Sequence, residues 1–94
     1  MILCTVKPTR KFQRDLKRAQ KRGYNISLLT DIIKKLATDE PLPEKNYDHP
    51  LNGDLEGYRE CHIQPDWLLI YEKDKTMLYL YLMRTGTHSD LFGE

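Results

Sequence analysis

The sequence predicts an α+β domain: an antiparallel sheet with an amino-terminal helical hairpin packed on one face, in the order β-α-α-β-β-β. Three observations lead there. Helical apolar spacing is confined to the stretch before Thr38, at Phe12, Leu16 and Ala19 and then at Leu28, Leu29, Ile32, Ile33, Leu36 and Ala37. From Gly57 onward the pattern changes to short alternating or wholly apolar runs, the mark of strands. At 94 residues the chain can bury roughly 60–65% of its unfolded surface, enough for one modest core, so residues 1–94 are read as one domain.

The elements follow in order. Met1 to Lys7 contains Ile2, Leu3, Thr5 and Val6 and reads as a short strand closed by Pro8. Thr9 can cap a helix that runs to about Arg22, where Gly23 offers a left-handed stop; its apolar stripe is narrow and its flanks are basic. Asn25 or Ser27 starts a second helix with a wide apolar face, ended by Asp39-Glu40-Pro41. Asp39 to Pro50, with three prolines, is an ordered loop that delivers His49 to a sheet edge. Gly57 to Ile63 alternates, Arg59, Cys61 and Ile63 on one side and Tyr58, Glu60 and His62 on the other. The chain turns back at Pro65, and Trp67 to Tyr71 is apolar throughout, as a central strand is. After a turn at Lys73-Asp74-Lys75, Met77 to Met83 forms a strand with Leu78, Leu80 and Leu82 inward, broken at Thr85-Gly86.

Composition excludes several classes. Cys4 and Cys61 stand far apart with no Cys-x-x-Cys, which argues against a disulfide framework or a thiolate zinc site. No stretch approaches the roughly 20 apolar residues of a membrane span, so a soluble, cytoplasmic protein is expected. The net charge of +1 hides an asymmetry: through Ala37 ten bases face two acids, giving +8, and from Thr38 five bases face twelve acids, giving −7. Lys11, Arg14, Lys17, Arg18, Lys21 and Arg22 on the first helix are therefore a candidate polyanion-binding surface, although a solvated helix face can also be basic.

Three histidines, His49, His62 and His88, together with Glu60, Asp66, Arg59 and Arg84, are available to one cleft if the fold makes them converge. Imidazole, with an unperturbed pKa of about 6.5, can give or take a proton near neutral pH. The histidine separations, 13 and 26 residues, match no zinc-binding spacing, so no metal or other cofactor is expected, although ligands remote in sequence can converge. Without a metal, such a set could cleave RNA. A base deprotonates the 2′-hydroxyl, the oxyanion attacks phosphorus, an acid protonates the leaving 5′-oxygen, and a cation steadies the phosphorane. Each residue also has a plainer reading. Asp66 after Pro65 is a turn residue or part of the acid-base group, Trp67 is core or a base-stacking platform, Arg84 is a solvated strand end or a phosphate clamp, and Phe92 is a hydrophobic staple or a stacking surface.

Asp48-His49-Pro50-Leu51, Gly57-Tyr58-Arg59, His62-Ile63-Gln64-Pro65-Asp66-Trp67 and Arg84-Thr85-Gly86-Thr87-His88-Ser89-Asp90-Leu91-Phe92-Gly93 together resemble the YafQ branch of the RelE toxin superfamily. Lys11-Phe12-Gln13-Arg14-Asp15 and Ala19-Gln20-Lys21-Arg22 are also similar to that branch. The resemblance implies a type II toxin that cuts messenger RNA in the ribosomal A site, is silenced by a DinJ-like antitoxin, and meets operator DNA only through the antitoxin complex. It implies that His49, His62, Asp66 and His88 form the acid-base and phosphate-contacting group; position alone, apart from the resemblance, points to His49 or Asp66 as base and His88 as acid. Glu60 stands where an aspartate is usual, Trp67 and Phe92 support or stack on RNA, Arg84 faces the phosphate, and the basic helix lies on ribosomal RNA. The same scaffold supports ParE relatives that bind DNA gyrase, so the alternative is a non-catalytic toxin with a protein target, which has no need of the histidine trio.

Overall fold

The computed structural model describes residues 3–93, so Met1 and Ile2, read above as the start of the first strand, lie outside the described residues. The elements are β1 (Thr5–Pro8), α1 (Arg10–Lys21), α2 (Ile26–Ala37), β2 (His49–Pro50), β3 (Arg59–Gln64), β4 (Trp67–Asp74), β5 (Tyr79–Gly86) and α3 (His88–Phe92). They build one five-stranded sheet in the order β1-β5-β4-β3-β2. The β3-β4-β5 meander is antiparallel as expected, but β1 joins β5 in parallel, which corrects the wholly antiparallel reading. Hairpins are written in local turn residues. The pairing of Thr5 with Tyr79 spans almost the whole chain and leaves no local signal.

Local chemistry sets the helix ends. The Thr9 hydroxyl accepts the Phe12 N–H at 3.1 Å and starts α1. Gly23, at φ +79°, turns the chain out of it. Asn25 Oδ1 accepts the Ser27 N–H and starts α2, and Asp39 in the left-handed region ends the turn that follows it. α2 lays Leu29, Ile32, Leu36 and Ala37 on Cys61, Ile63, Leu69, Tyr71, Leu80 and Leu82 of the sheet, and Phe12 and Ala19 of α1 join the same core. Burial pushes the Cys61 thiol up to about 12, so it is an inert core residue.

α1 does more than cover the core layer. Where β1 stops, α1 takes over the edge of β5. Thr9 N–H donates to Leu82 O at 3.0 Å, its hydroxyl donates to Met83 O at 3.0 Å, and the Asp15 carboxylate accepts the Thr85 N–H at 3.1 Å. Asp15 thus stands in for a missing strand partner.

The expected Met77–Met83 strand is shifted by the turn before it. Asp74 Oδ1 accepts the N–H groups of both Thr76 and Met77, each at 3.0 Å, and Leu78 adopts φ +57°. Leu78 is therefore an exposed turn residue, and β5 runs from Tyr79 through Gly86. Within it the register slips. Ile70 pairs with Arg84 and Tyr71 with Leu82, so Met83 is an extra, bulged residue. Strict alternation from Leu82 would aim Arg84 at α2; the bulge sends it to the opposite face.

Candidate active site

On the sheet face turned away from α2, the register sets residues in rows. One row reads His49, Glu60, Ile70, Arg84 across β2, β3, β4 and β5; the next reads His62, Leu68, Gly86. Two residues past Gly86, His88 opens α3. Alternation and register thus bring three remote histidines to one corner of one face.

Two imidazole–carboxylate pairs result. His49 Nε2 lies 3.2 Å from Glu60 Oε1 while its Nδ1 lies 3.1 Å from Pro50 O. The carbonyl can only accept, so in that contact Nδ1 is the donor and Nε2 is the nitrogen turned to the carboxylate. His62 Nε2 approaches the same Glu60 oxygen at 3.6 Å. In the second pair Asp66 Oδ1 accepts the His88 backbone N–H at 3.0 Å and contacts His88 Nδ1 at 2.6 Å. The backbone N–H first, and then the ring, hold the Asp66 carboxyl below the usual range. Among the described residues the ring's Nε2 has no hydrogen-bond partner, which leaves it able to meet a substrate. The His62 and His88 rings, 5.8 Å apart, join the two pairs.

Supporting contacts place these groups. The buried Asn46 side chain donates to His62 O at 2.7 Å. Tyr47, in the left-handed region at φ +46° and 65% exposed, sets its ring 5.0 Å from His49 and 5.6 Å from His62. α3 is held by its capping box, in which Thr87 and Asp90 bond reciprocally, and by Arg22, whose Nη1 and Nη2 reach Asp90 at 2.6 and 3.0 Å. Arg22 and Thr87 together keep the Asp90 carboxyl far below its ordinary value, against the opposing effect of burial. Gly86 makes room for this clamp, because a Cβ there would stand 2.9 Å from Asp90 Oδ2. Asp15, 4% exposed, receives Arg84 Nε at 2.6 Å and Nη2 at 3.2 Å and also Arg18 Nη2 at 2.7 Å. That contact holds the Arg84 guanidinium firmly charged.

His49, Glu60, His62, Asp66 and His88 therefore converge, with Arg84 at the far end of the Glu60 row, about 9–10 Å away at ordinary strand spacing. Phe92 ends α3 exposed. Two expectations are corrected. Arg59 points to the other face, where its Nε bonds Asp48 at 3.2 Å in a cleft shared with Tyr71, because the neighbour of an outward Glu60 must face inward. Trp67 is 1% exposed, packed on Tyr24 with its indole N–H on Thr85, so it floors the site from within the core and offers no face to a base. Of the basic helix, Lys11, Arg14, Lys17 and Lys21 are exposed, while Arg18 and Arg22 are tied to Asp15 and Asp90. Sequence reasoning missed Asp15, Asn46, Tyr47 and Asp90. Asp15 was the findable one, as the lone acid in a basic helix.

One arrangement goes beyond what chain spacing suggested. His49, Glu60 and His62 each offer a ligand atom, all within 4.8 Å of one another, two imidazoles and a carboxylate that suit a zinc-type ion.

Imidazole–carboxylate pairs at one solvent-reached corner of a small α+β sheet define a class of proteins equipped for proton transfer. The family of bacterial toxins of type II toxin–antitoxin systems, YafQ, matches residues 4–93, and the chain belongs to it. The mRNA interferase toxin YafQ of Escherichia coli K12 is 39% identical over 94 residues, covering 99% of this chain and 100% of that protein. YafQ in the crystal structure of the E. coli DinJ–YafQ toxin–antitoxin complex superposes with a TM-score of 0.88 at 39% identity, over 98% of this chain and 100% of that one. A metal-bound toxin from Helicobacter pylori superposes with a TM-score of 0.91 at 44% identity, over 96% and 100%.

Proposed function

We propose that this protein is an mRNA interferase: an endoribonuclease that cuts messages in the ribosomal A site by metal-independent attack of the 2′-hydroxyl. The observation that carries the reading is the pair of imidazole–carboxylate couples joined through His62 on one exposed corner. The His49–Glu60 couple serves as general base; His88, oriented by Asp66 through Nδ1, presents Nε2 as general acid; His62 bears on the phosphorane, and Arg84, farther along the row, faces the RNA phosphate beside it. Kinship with E. coli YafQ, an mRNA interferase toxin, supports it.

The exposed lysines and arginine of α1 would lie on ribosomal RNA, with affinity that falls steeply with salt. A DinJ-like antitoxin is the partner expected from the E. coli complex, and operator DNA would be met only through that complex. The toxin would act in the cytoplasm; among the described residues no helix is long and apolar enough to cross a membrane. A gyrase-binding role would leave both histidine couples without a task.

The test is primer extension on a translated message after brief induction, wild type beside His88→Ala and His62→Ala. Wild type should leave discrete breaks within codons, and His88→Ala should lower their yield by about 10²–10⁴-fold. Growth arrest with an intact message would end the proposal. A second reading draws on the His49, Glu60 and His62 donor set, which would let an ion occupy the base position. Cleavage on purified ribosomes that survives a strong chelator supports the metal-free mechanism; loss of cleavage with chelator and its return with zinc selects the other.

A further inference from the structure

We propose that the sheet face beside the His49–Glu60 couple carries a nucleotide subsite, which seats the base adjoining the scissile phosphate between Tyr58 and Met83 while Lys11 and Arg84 meet the phosphate of the same nucleotide. This rests on the ribonuclease reading and names the part of the RNA that the catalytic couples leave unheld. A trough of about 390 Å³ opens there, lined by Lys11, Leu55, Tyr58, Ile70, Met83 and Arg84. Its place is set by register. Ile70, the floor, is the partner of both Glu60 and Arg84, so the trough lies in the catalytic row itself. Tyr58 stands two residues before Glu60 on the same side of the chain, about 7 Å away along the strand direction. A nucleotide next to the cut would fall there.

The lining fits a base in its chemistry. A phenol ring and a thioether offer flat, polarisable surface, which binds any base through its π-face. Lys11 and Arg84 stand at the rim, Arg84 backed by Asp15 from behind, and no carboxylate is among the described residues that line the trough. The cleft on the other face differs, because Asp39, Glu40 and Asp48 stand among Arg59, Lys73 and Lys75 and leave no net charge for a phosphate. The trough is also built in. The β5 bulge turns Met83 and Arg84 toward it, Thr9 fixes the Met83 carbonyl, and Asp15 fixes the Arg84 guanidinium through Nε and Nη2.

The experiment is single-turnover cleavage of a ribosome-bound message in which the nucleotide on either side of the cut is replaced, in turn, by an abasic one. One of the two replacements should slow the wild-type protein roughly 5- to 100-fold, the range that loss of one stacked base produces. Tyr58→Ala and Met83→Ala should each slow cleavage of the unmodified message, Tyr58→Phe should retain it, and neither alanine variant should add to the loss on that abasic message. Cleavage that both abasic messages and both alanine variants leave within about twofold overturns the subsite, and so do losses that multiply instead of overlapping. Should Tyr58→Ala melt early, Met83→Ala on the partly exposed bulge decides the matter with the abasic pair. A message that wild type leaves uncut overturns the ribonuclease reading and takes the subsite with it, an outcome distinct from cleavage indifferent to the base.

Discussion

The Glu60 side chain is 7% exposed in a strand paired on both sides, whereas that of Asp66 is 66% exposed at the tip of a two-residue turn, yet each holds a histidine. The Glu60 couple inherits its geometry from the sheet, because its members are register partners and cannot move without the strands. The Asp66 couple has no such frame. Its histidine rides on a five-residue helix, and that helix keeps its place through Asp90, Arg22 and the Thr87 cap. One acid-base couple is thus positioned by backbone pairing, the other by an ion-pair clamp anchored on α1. Disturbing α1 should loosen one and spare the other.

That contrast can be broken in several places. The largest effect is expected from Glu60→Ala, which strips both His49 and His62 of their shared carboxylate. Cleavage should fall by about 10²–10⁴-fold, and a melting scan should show lost stability as well. Asp15→Ala comes next. It leaves a part-buried guanidinium and the Thr85 N–H without their partner, and denaturant unfolding should show a loss of about 3–5 kcal/mol. An unaltered midpoint would mean that α1 is not pinned to β5 through this carboxylate.

Asp90→Asn should cost about 1 kcal/mol, through the cap and the ion pair to Arg22. Its pH signature is the sharper test. The folded carboxyl is depressed, so its contribution is present above the unfolded value of about 3.9 and is lost as pH falls through the lower folded value. Stability followed from pH 6 downward should therefore fall less steeply in Asp90→Asn than in wild type. The smallest structural effect belongs to Asp66→Asn: at most a small drop in melting temperature, since the carboxylate is solvent-facing, with slower cleavage because His88 keeps only a neutral amide acceptor in place of the carboxylate. Equal thermal cost in Glu60→Ala and Asp66→Asn would erase the distinction between the couples.

Much of the architecture was legible from residue order. The caps at Thr9 and Asn25, the stop at Gly23 and the return at Pro65 each act through their own few neighbours, and all stand where local chemistry places them. Alternation around Glu60 also separates the faces of β3, and the same rule puts Arg59 on the face away from the site. The start of β5 was not legible, because Asp74 bonds two successive N–H groups and draws Leu78 into the turn despite its apolar side chain. Nor was the role of Trp67, since an indole at a strand start looks the same whether it packs inward or waits for a base; the Thr85 hydroxyl and the Tyr24 ring settle it.

By itself, the order of residues determined two helices followed by a meander, a basic amino-terminal half, and a supply of imidazoles and carboxylates. These depend on spacings of a few residues, which the backbone periods of 3.6 and 2 convert directly into faces. Only the tertiary structure decided that β1 lies parallel to β5, that Met83 bulges and swings Arg84 onto the catalytic side, and that Asp15 and Asp90 tie α1 to the far end of the chain. The β1 pairing and the two carboxylate ties join groups about seventy positions apart, and the bulge depends on the register of a whole hairpin, so proximity follows from the packing of the core and no local period records it.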